Sequence, residues 1–324
     1  MKNAVETIGI ITSGGDAPGM NAVIRAAVRV ALEAGIKVKG IKRGFNGLLE
    51  EDIYDMDASS VSEIIQRGGT ILYTARCNEF VKPEVQDRAA NICKKHGIDS
   101  LVVIGGDGSF KGAAALAKRG INTVGVPGTI DLDVACTDYT IGFDTAVNTA
   151  MQTIDRVRDT STSHERCSII EVMGRSAGHI ALWCGISNGA EDILIKERYK
   201  NDEQRIIDKI NRRRETGKKH YIIINAEGVG DSDGLAHRIE EATGMEARAT
   251  IIGYAQRGGN PTARDRYYGS AMGGKAVDLL KSGASNRVIA YKEGKIVDYD
   301  IEEALAMTKD INDYMYDLAY RIST

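Results

Sequence analysis

Apolar and polar positions follow a repeating order along this chain: a short apolar run, a glycine-rich polar break, then apolar residues at helical spacing. Residues 8–11 form the first run and predict a strand. "TSGGDAPG" follows as a turn, and Val23, Ala27, Val30 and Ala31 give residues 20–33 one apolar helical face. Residues 38–41 predict the next strand. Pro83 opens a helix lined by Val85, Ala89, Ile92 and Cys93, and Gly97 ends it. Residues 101–104 (strand), "GGDGS" (turn), 110–118 (helix) and 123–126 (strand) make a βαβ unit.

The order continues through a helix at 147–157, a strand at 167–172, and "MGRSAGH" as a turn into a helix at 180–185. A charged amphipathic helix at 202–216 closes at Gly217, before a strand at 221–225. "RATIIGYAQRGGNPTARDR" reads as strand, then polar loop. Residues 287–299 read as a hairpin turning at Glu293-Gly294, and the chain is helical from Ile301. Wholly apolar strands separated by helices predict parallel sheets covered on both faces. The expected fold class is α/β: two Rossmann-like, three-layer α/β domains with mostly parallel sheets and the active site in the cleft between them, at strand C-termini. The expected large domain is 1–142 plus 255–304. The smaller is 143–254 plus 305–324.

Composition narrows the partners. The 324 residues carry a net charge of −3, so no global basic field recruits nucleic acid or an anionic membrane. No apolar run is long enough to span a bilayer, and no start resembles a signal peptide, so a cytoplasmic protein is expected. The 5 cysteines are scattered without CxxC spacing, which predicts reduced thiols and no zinc site. The 36 glycines beside only 4 prolines suit many tight strand-to-helix turns.

The chemistry gathers at those turns. In "GGDGS", Gly105, Gly106 and Gly108 let the backbone approach a ligand, and a helix N-terminus favours phosphate. Asp107 would repel that phosphate unless a divalent cation lay between them. Two readings stay open: nucleotide phosphates with Mg2+, or a tight βα turn with a capping aspartate. "TSGGDAPGMN" is a second glycine turn, at a neighbouring strand end. In "VPGTIDLDVACTD", Asp131 and Asp133 flank Leu132. If the segment is extended the two carboxylates point the same way, as a base and a metal-region carboxylate for phosphoryl transfer would, or as a capping pair. Arg76, Arg166, Arg175, Arg248 and Arg257 lie in or beside polar turns and make an anionic substrate plausible. No GxxxxGK[ST] P-loop, GxGxxG fingerprint or protein-kinase HRD/DFG set occurs.

Together, "TSGGDAPGMN", "RGGT…TAR", "VIGGDGS", "PGTID.D", "TDYTIGFDTA", "IDR.RDT..SHER", "EVMGR.AG" and "RAT..G..QRGG.P" resemble the bacterial ATP-dependent 6-phosphofructokinase family, in order from residue 8 to about residue 270. The resemblance implies phosphorylation of fructose 6-phosphate at its 1-hydroxyl by ATP, with Mg2+, in a homotetramer. It implies ATP contacts at Gly15, Arg76, Cys77, Gly106, Asp107, Gly108 and Ser109, with Asp107 at the metal. It makes Asp131 the base, with Thr129 beside the transferring phosphoryl group, Asp133 nearby and Arg175 assisting. Met173, Gly174, Arg175 and Glu227 would contact the sugar, and Arg166, Arg248 and Arg257 its 6-phosphate, some of them from a neighbouring subunit. Glycine at 108 and 128, where pyrophosphate-using relatives carry Asp and Lys, favours ATP as donor. An effector site for ADP or phosphoenolpyruvate is implied at Arg25, Arg29, Arg158, Gly189, Glu191, Lys218, Lys219 and His220.

Four positions depart from the family pattern. Leu132 replaces an asparagine. Tyr254 replaces a histidine at the 6-phosphate and cannot supply positive charge. Ala58 and Thr216 replace an arginine and a lysine, which predicts reduced or altered allostery. Leu132 and Tyr254 keep two alternatives open: a kinase of the same fold with a shifted sugar-phosphate acceptor, and a catalytically weakened regulatory paralogue.

Overall fold

The computed structural model describes residues 5–200 and 202–323. Along the chain, β1 (Thr7–Thr12), α1 (Met20–Glu33), β2 (Lys37–Ile41), α2 (Gly44–Leu49), β3 (Ile53–Met56), α3 (Pro83–Lys95), β4 (Ser100–Gly105), α4 (Asp107–Ala117), β5 (Asn122–Thr129) and β6 (Ile141–Gly142) come first. Next are α5 (Phe143–His164), β7 (Cys167–Val172), α6 (His179–Ser187), β8 (Asp192–Leu194), α7 (Glu203–Glu215), β9 (Tyr221–Ala226), α8 (Ser232–Thr243) and β10 (Ala247–Ile251). The last elements are α9 (Ala263–Lys281), β11 (Arg287–Lys292), β12 (Lys295–Asp300), α10 (Ile301–Ala306) and α11 (Asp313–Ile322). The chain forms two units, one up to Thr145 with Arg257–Lys309, the other Ala146–Gln256 with the stretch from Asp310. Each boundary lies a few residues beyond the sequence expectation. Thr145 is hydrogen-bonded to Asp265, and Lys309 donates to the Thr137 carbonyl at 2.7 Å, so both belong to the first unit.

The first unit has a sheet in the order β12-β11-β5-β4-β1-β2-β3, with β6 pairing β5. β1, β2, β4, β5, β6 and β11 run parallel, while β3 and β12 are antiparallel edges. β1 and β4 are buried at every position, as strands covered on both faces must be. β11 and β12 turn through Glu293 (φ 49°) and Gly294 (φ 81°), the left-handed pair of a tight hairpin. α9 packs along α1, and a Cβ at Gly273 would stand 2.5 Å from the Val23 carbonyl oxygen. From the sequence no element is expected over most of this stretch, and its glycines are here the face that lets two helices approach.

The second unit has a parallel sheet in the order β10-β7-β9-β8. Its core joins Cys167, Ile169, Leu194, Ile206, Ile210, Tyr221, Ile223, Leu235 and Ile239. Among the described residues no helix is long and apolar enough to cross a membrane. No disulfide forms: Cys93, Cys136, Cys167 and Cys184 are buried thiols and Cys77 is half-buried.

Three expectations about local structure are corrected. Asp107, Gly108 and Ser109 are the first turn of α4, which begins three residues earlier than the expected 110. Asp131–Asp133 is not extended, because Leu132 sits at φ 56°, in the left-handed region. α5 also outruns its predicted 147–157 at both ends.

Candidate active site

β1, β4 and β5 are neighbours in the sheet, and each ends in one of the predicted loops. The loops after β1 and β4 abut. Ser13 N donates to the Ile104 carbonyl at 2.9 Å, and Ser109 Oγ donates to the Ser13 carbonyl at 3.1 Å. Gly105 is required there, since a Cβ would stand 2.3 Å from Ser109 Oγ. By contrast a Cβ at Gly106 or Gly108 would meet nothing within 4 Å. Exposed Asp107 and Gly108 thus face open space at the N-terminus of α4, where the helix dipole favours a phosphate. Gly128 is different: it is buried, and a Cβ there would stand 2.9 Å from Ile104 Cγ2 and 3.2 Å from Met20 Cε. The chain has no room for a lysine at 128 without moving its core.

The turn after β5 separates its two carboxylates. Asp131 is 3% exposed, with its N–H donating to Thr129 Oγ1 at 3.2 Å. Leu132 is buried, and Asp133 is half-buried. Asp133 is close enough to Asp107 for its charge to matter. Partial desolvation first, and the Asp133 charge second, raise the Asp107 carboxyl above its ordinary pKa, against a lowering by Lys111. An Asp107 carboxylate whose charge is disfavoured, with Asp133 beside it and open space at a helix N-terminus, suits a divalent cation held by one or two carboxylates plus substrate phosphates. Among the described residues no group of three or more His, Cys, Asp or Glu side chains forms a metal cage, so phosphate oxygens would have to complete any coordination.

The segment carrying Arg76 and Cys77 is held over the end of β1. Asn21 Nδ2 donates to the carbonyls of Arg67 (3.1 Å) and Gly68 (3.3 Å), and Ile71 N donates to Asn21 Oδ1 at 2.9 Å. Thr74 Oγ1 donates to the Gly14 carbonyl at 2.8 Å, and Asn46 Nδ2 to that of Arg76 at 3.0 Å. Burial pushes the Cys77 thiol up in pKa, which keeps it neutral. Arg257 lies against the loop after β1: its Nη1 donates to the Asp16 carbonyl at 2.9 Å and rests 2.6 Å from where a Gly15 Cβ would be.

In the second unit, Met173, Gly174 and Arg175 follow the C-terminal end of β7. Gly174 (φ 144°) and Arg175 (φ 54°) make a tight turn. Arg175 N donates to Glu227 Oε1, and Met173 N to Oε1 of the fully buried Gln256 at 2.8 Å. These four predicted sugar contacts are therefore gathered. Tyr254 lies after β10 at the same end of the sheet, 83% exposed. Arg166 and Arg248 are at the other end, where β7 and β10 begin. Arg166 Nη2 and Arg248 Nη2 reach the two oxygens of Glu246 at 3.3 and 3.1 Å, and Arg248 Nη1 also pairs with Glu240 at 3.1 Å.

The residues predicted for an effector divide between the units. Arg25 and Arg29 lie on α1. In the second unit Arg158 Nη2 donates to the Asn188 carbonyl beside Gly189 (φ 60°). Buried Glu191 accepts from Ile222 N and Lys218 Nζ, both at 2.6 Å. Desolvation first, then the Lys218 charge, lowers the His220 pKa. Lys219 turns outward to Glu165 at 2.6 Å. Thr216 Oγ1 bonds the Arg213 carbonyl.

Three residues that support these loops or lie near their charges carry no expectation from the sequence. Asn21 and Gln256 fix loop backbones, and both stand inside motifs that sequence alone singles out. Lys309 lies far along the chain, so nothing local signals it. Burial pushes its pKa down to about 8, and it sits within reach of the charges of Asp138 and Asp133.

The family model for phosphofructokinase matches residues 7–280. The chain is 56% identical over 319 residues to ATP-dependent 6-phosphofructokinase of Clostridium botulinum, covering 98% of this chain and 100% of the relative. It is 57% identical, over the same share of both, to the enzyme of that name from Clostridium acetobutylicum. Among solved structures it is similar to phosphofructokinase from Saccharomyces cerevisiae, with a TM-score of 0.86 and 32% identity over 98% of this chain and 48% of that one. A pyrophosphate-dependent phosphofructokinase from Marinobacter aquaeolei shares the fold at 22% identity, with a TM-score of 0.85 over 96% of this chain and 86% of that one. With three loops converging at β1, β4 and β5 and relatives matched end to end, the chain belongs to the phosphofructokinase family.

Proposed function

We propose that the protein transfers the γ-phosphoryl group of ATP to the 1-hydroxyl of fructose 6-phosphate, giving ADP and fructose 1,6-bisphosphate. The observation that carries this is the convergence of the "TSGGD", "GGDGS" and Thr129–Asp133 loops at adjacent strand ends of one sheet. Asp131 is the general base. It accepts the proton of the 1-hydroxyl as that oxygen attacks the γ-phosphorus and ADP leaves. Gly15 and Gly106 to Ser109, with Arg76 and Cys77, bind the nucleotide. Asp107, with Asp133 beside it, holds Mg2+, which when bound neutralises phosphate charge. Thr129 braces the Asp131 backbone and presents a hydroxyl to the transferring group. Open space at Gly108 and crowding at Gly128 support ATP over pyrophosphate as donor.

Met173, Gly174, Arg175 and Glu227 hold the sugar, with Tyr254 and Arg257 toward its phosphate end. Arg166 and Arg248 complete the 6-phosphate site of a neighbouring copy, which the opposite-end placement on their own sheet supports. The assembly is a homotetramer, and ADP or phosphoenolpyruvate binds at Arg158, Gly189, Glu191, Lys218 and His220 with Arg25, Arg29 and Lys219. A coupled ADP-release assay with Mg·ATP and a panel of sugar phosphates tests the acceptor: fructose 6-phosphate should be preferred. Asp131→Ala should lower kcat on the order of 10²-fold or more. Near-normal turnover by that variant would remove Asp131 from the mechanism.

A further inference from the structure

Asp265 is the second residue after the Ala263 that opens α9, and it is fully buried. Desolvation raises its pKa, and every acceptor position it has is engaged by a donor from one segment of chain. Oδ1 accepts from Tyr139 Oη at 2.5 Å and from Gly142 N at 2.7 Å. Oδ2 accepts from Thr145 N at 2.9 Å and from Thr145 Oγ1 at 2.5 Å. Thr145 Oγ1 in turn accepts from Thr262 N, the N-cap of α9, at 3.0 Å. The carboxylate therefore grips residues 139–145, the stretch that leads from beyond the Asp131 turn into the first turn of α5.

That grip reaches the reacting groups by backbone alone. Gly142, whose N–H it holds, is the register partner of Thr129, and Ile141 that of Gly128. Gly142 is closely walled. A Cβ there would stand 2.6 Å from Ala17 Cβ, in the first glycine loop, and 3.3 Å from Ile130 Cγ2, next to Asp131. Gly19, which ends that loop, lies against Asp265 itself, at 3.2 Å from a built Cβ to Asp265 Cβ. One buried side chain thus lies behind both the nucleotide loop after β1 and the catalytic turn after β5.

We propose that Asp265 is a positioning residue for phosphoryl transfer, setting the place of Thr129 and Asp131 through Gly142. This rests on the reading of Asp131 as base. An amide at 265 keeps the shape but not the acceptors. Whichever way it turns, its NH2 faces one backbone N–H, of Gly142 or of Thr145, which cannot reverse its role as a hydroxyl can.

The test measures kcat and both KM values of Asp265→Asn, Thr145→Val, Thr145→Ser and Asp131→Ala, each well below its thermal midpoint. Asp265→Asn should lose roughly 10- to 100-fold in kcat, as expected of sub-ångström to ångström misplacement of reacting groups, with the KM for ATP within about threefold. Thr145→Ser, which keeps the hydroxyl, should recover most of the kcat that Thr145→Val loses. If Asp265→Asn folds and turns over at the wild-type rate, or Thr145→Val and Thr145→Ser have equal kcat, the proposal is wrong. The Thr145 pair decides alone if Asp265→Asn does not fold. If Asp131→Ala retains turnover, it is the assignment of the base that falls.

Discussion

Arg166 and Arg248 share one carboxylate, that of Glu246, at the beginning of strands β7 and β10. The predicted sugar contacts Met173, Gly174 and Arg175 begin where β7 ends, six residues on, which is roughly 20 Å along a strand. One sugar phosphate cannot span that distance, so on the proposed assignment the arginine pair and the Met173–Arg175 turn of one chain contact different sugar molecules.

A mixing experiment follows. Arg248→Ala should raise the KM for fructose 6-phosphate roughly 10- to 100-fold, the weight of a charge-assisted hydrogen bond, with the KM for ATP little changed. Hybrids assembled from Arg248→Ala and Asp131→Ala subunits should regain activity that neither parent shows at low sugar concentration, because some sites then receive an intact base from one chain and an intact arginine from the other. Absence of complementation in a verified hybrid would place Arg248 outside the sugar site.

Asp107 makes a pH- and metal-dependent prediction. Its pKa is raised in the folded state, so the fold binds more protons here than the unfolded chain does. Its contribution is favourable at low pH and is lost as pH rises from 3.8 through the raised value. At neutral pH without metal, Asp107→Asn should therefore melt no lower than wild type, and slightly higher. Adding Mg2+ with ATP should raise the wild-type midpoint more than that of the variant. Thermal melts at acid and neutral pH, with and without Mg·ATP, check both signs.

Leu132 sets two effects against each other. Holding a leucine in the left-handed region costs about 1–2 kcal/mol, a cost asparagine largely escapes. Burying the side chain to 6% exposure contributes about 1.5–3 kcal/mol, which asparagine would forfeit. Burial is the larger, so Leu132→Asn should be destabilising by about 1 kcal/mol, measured by urea unfolding. Because Asp131 and Thr129 keep their bond, kcat should stay within about threefold of wild type, far from the effect of removing a base. A large rise in kcat would show that leucine tunes this turn down.

The lysine pair at 218 and 219 separates by burial. Lys218 partners a glutamate that is 5% exposed, so Lys218→Ala leaves a buried carboxylate short of a donor and should cost about 1–3 kcal/mol. Lys219→Ala breaks a pair exposed on both sides and should leave the unfolding midpoint unchanged. Effector titrations should weaken for Lys218→Ala in parallel with its stability loss. Equal melting of the two variants would contradict this ordering.

Local pattern carried far into this protein. Apolar runs named the central strands of both sheets, because a strand buried on both faces has no polar position to disguise it. Glycine turns marked the loops after β1 and β4, because a backbone that meets a ligand or another loop admits no Cβ. Elements whose signal lies in their partners were not legible. α9 is not assigned from the sequence, because its glycines make sense only against the α1 surface they fit, and the short edge strand β3 has only one neighbour to bury against. Sequence also placed Asp131 and Asp133 on one face, by a rule for extended chain that Leu132 breaks. Most of what remained was a matter of which distant residues meet: Asp107 with Asp133, Arg257 with Gly15, and Asp265 with Gly142. Such pairings depend on how strands such as β1 and β4, distant along the chain, are laid side by side in one sheet, which no local spacing encodes. Residue chemistry was thus written in the sequence, and the tertiary fold decided which charges face one another and which are buried.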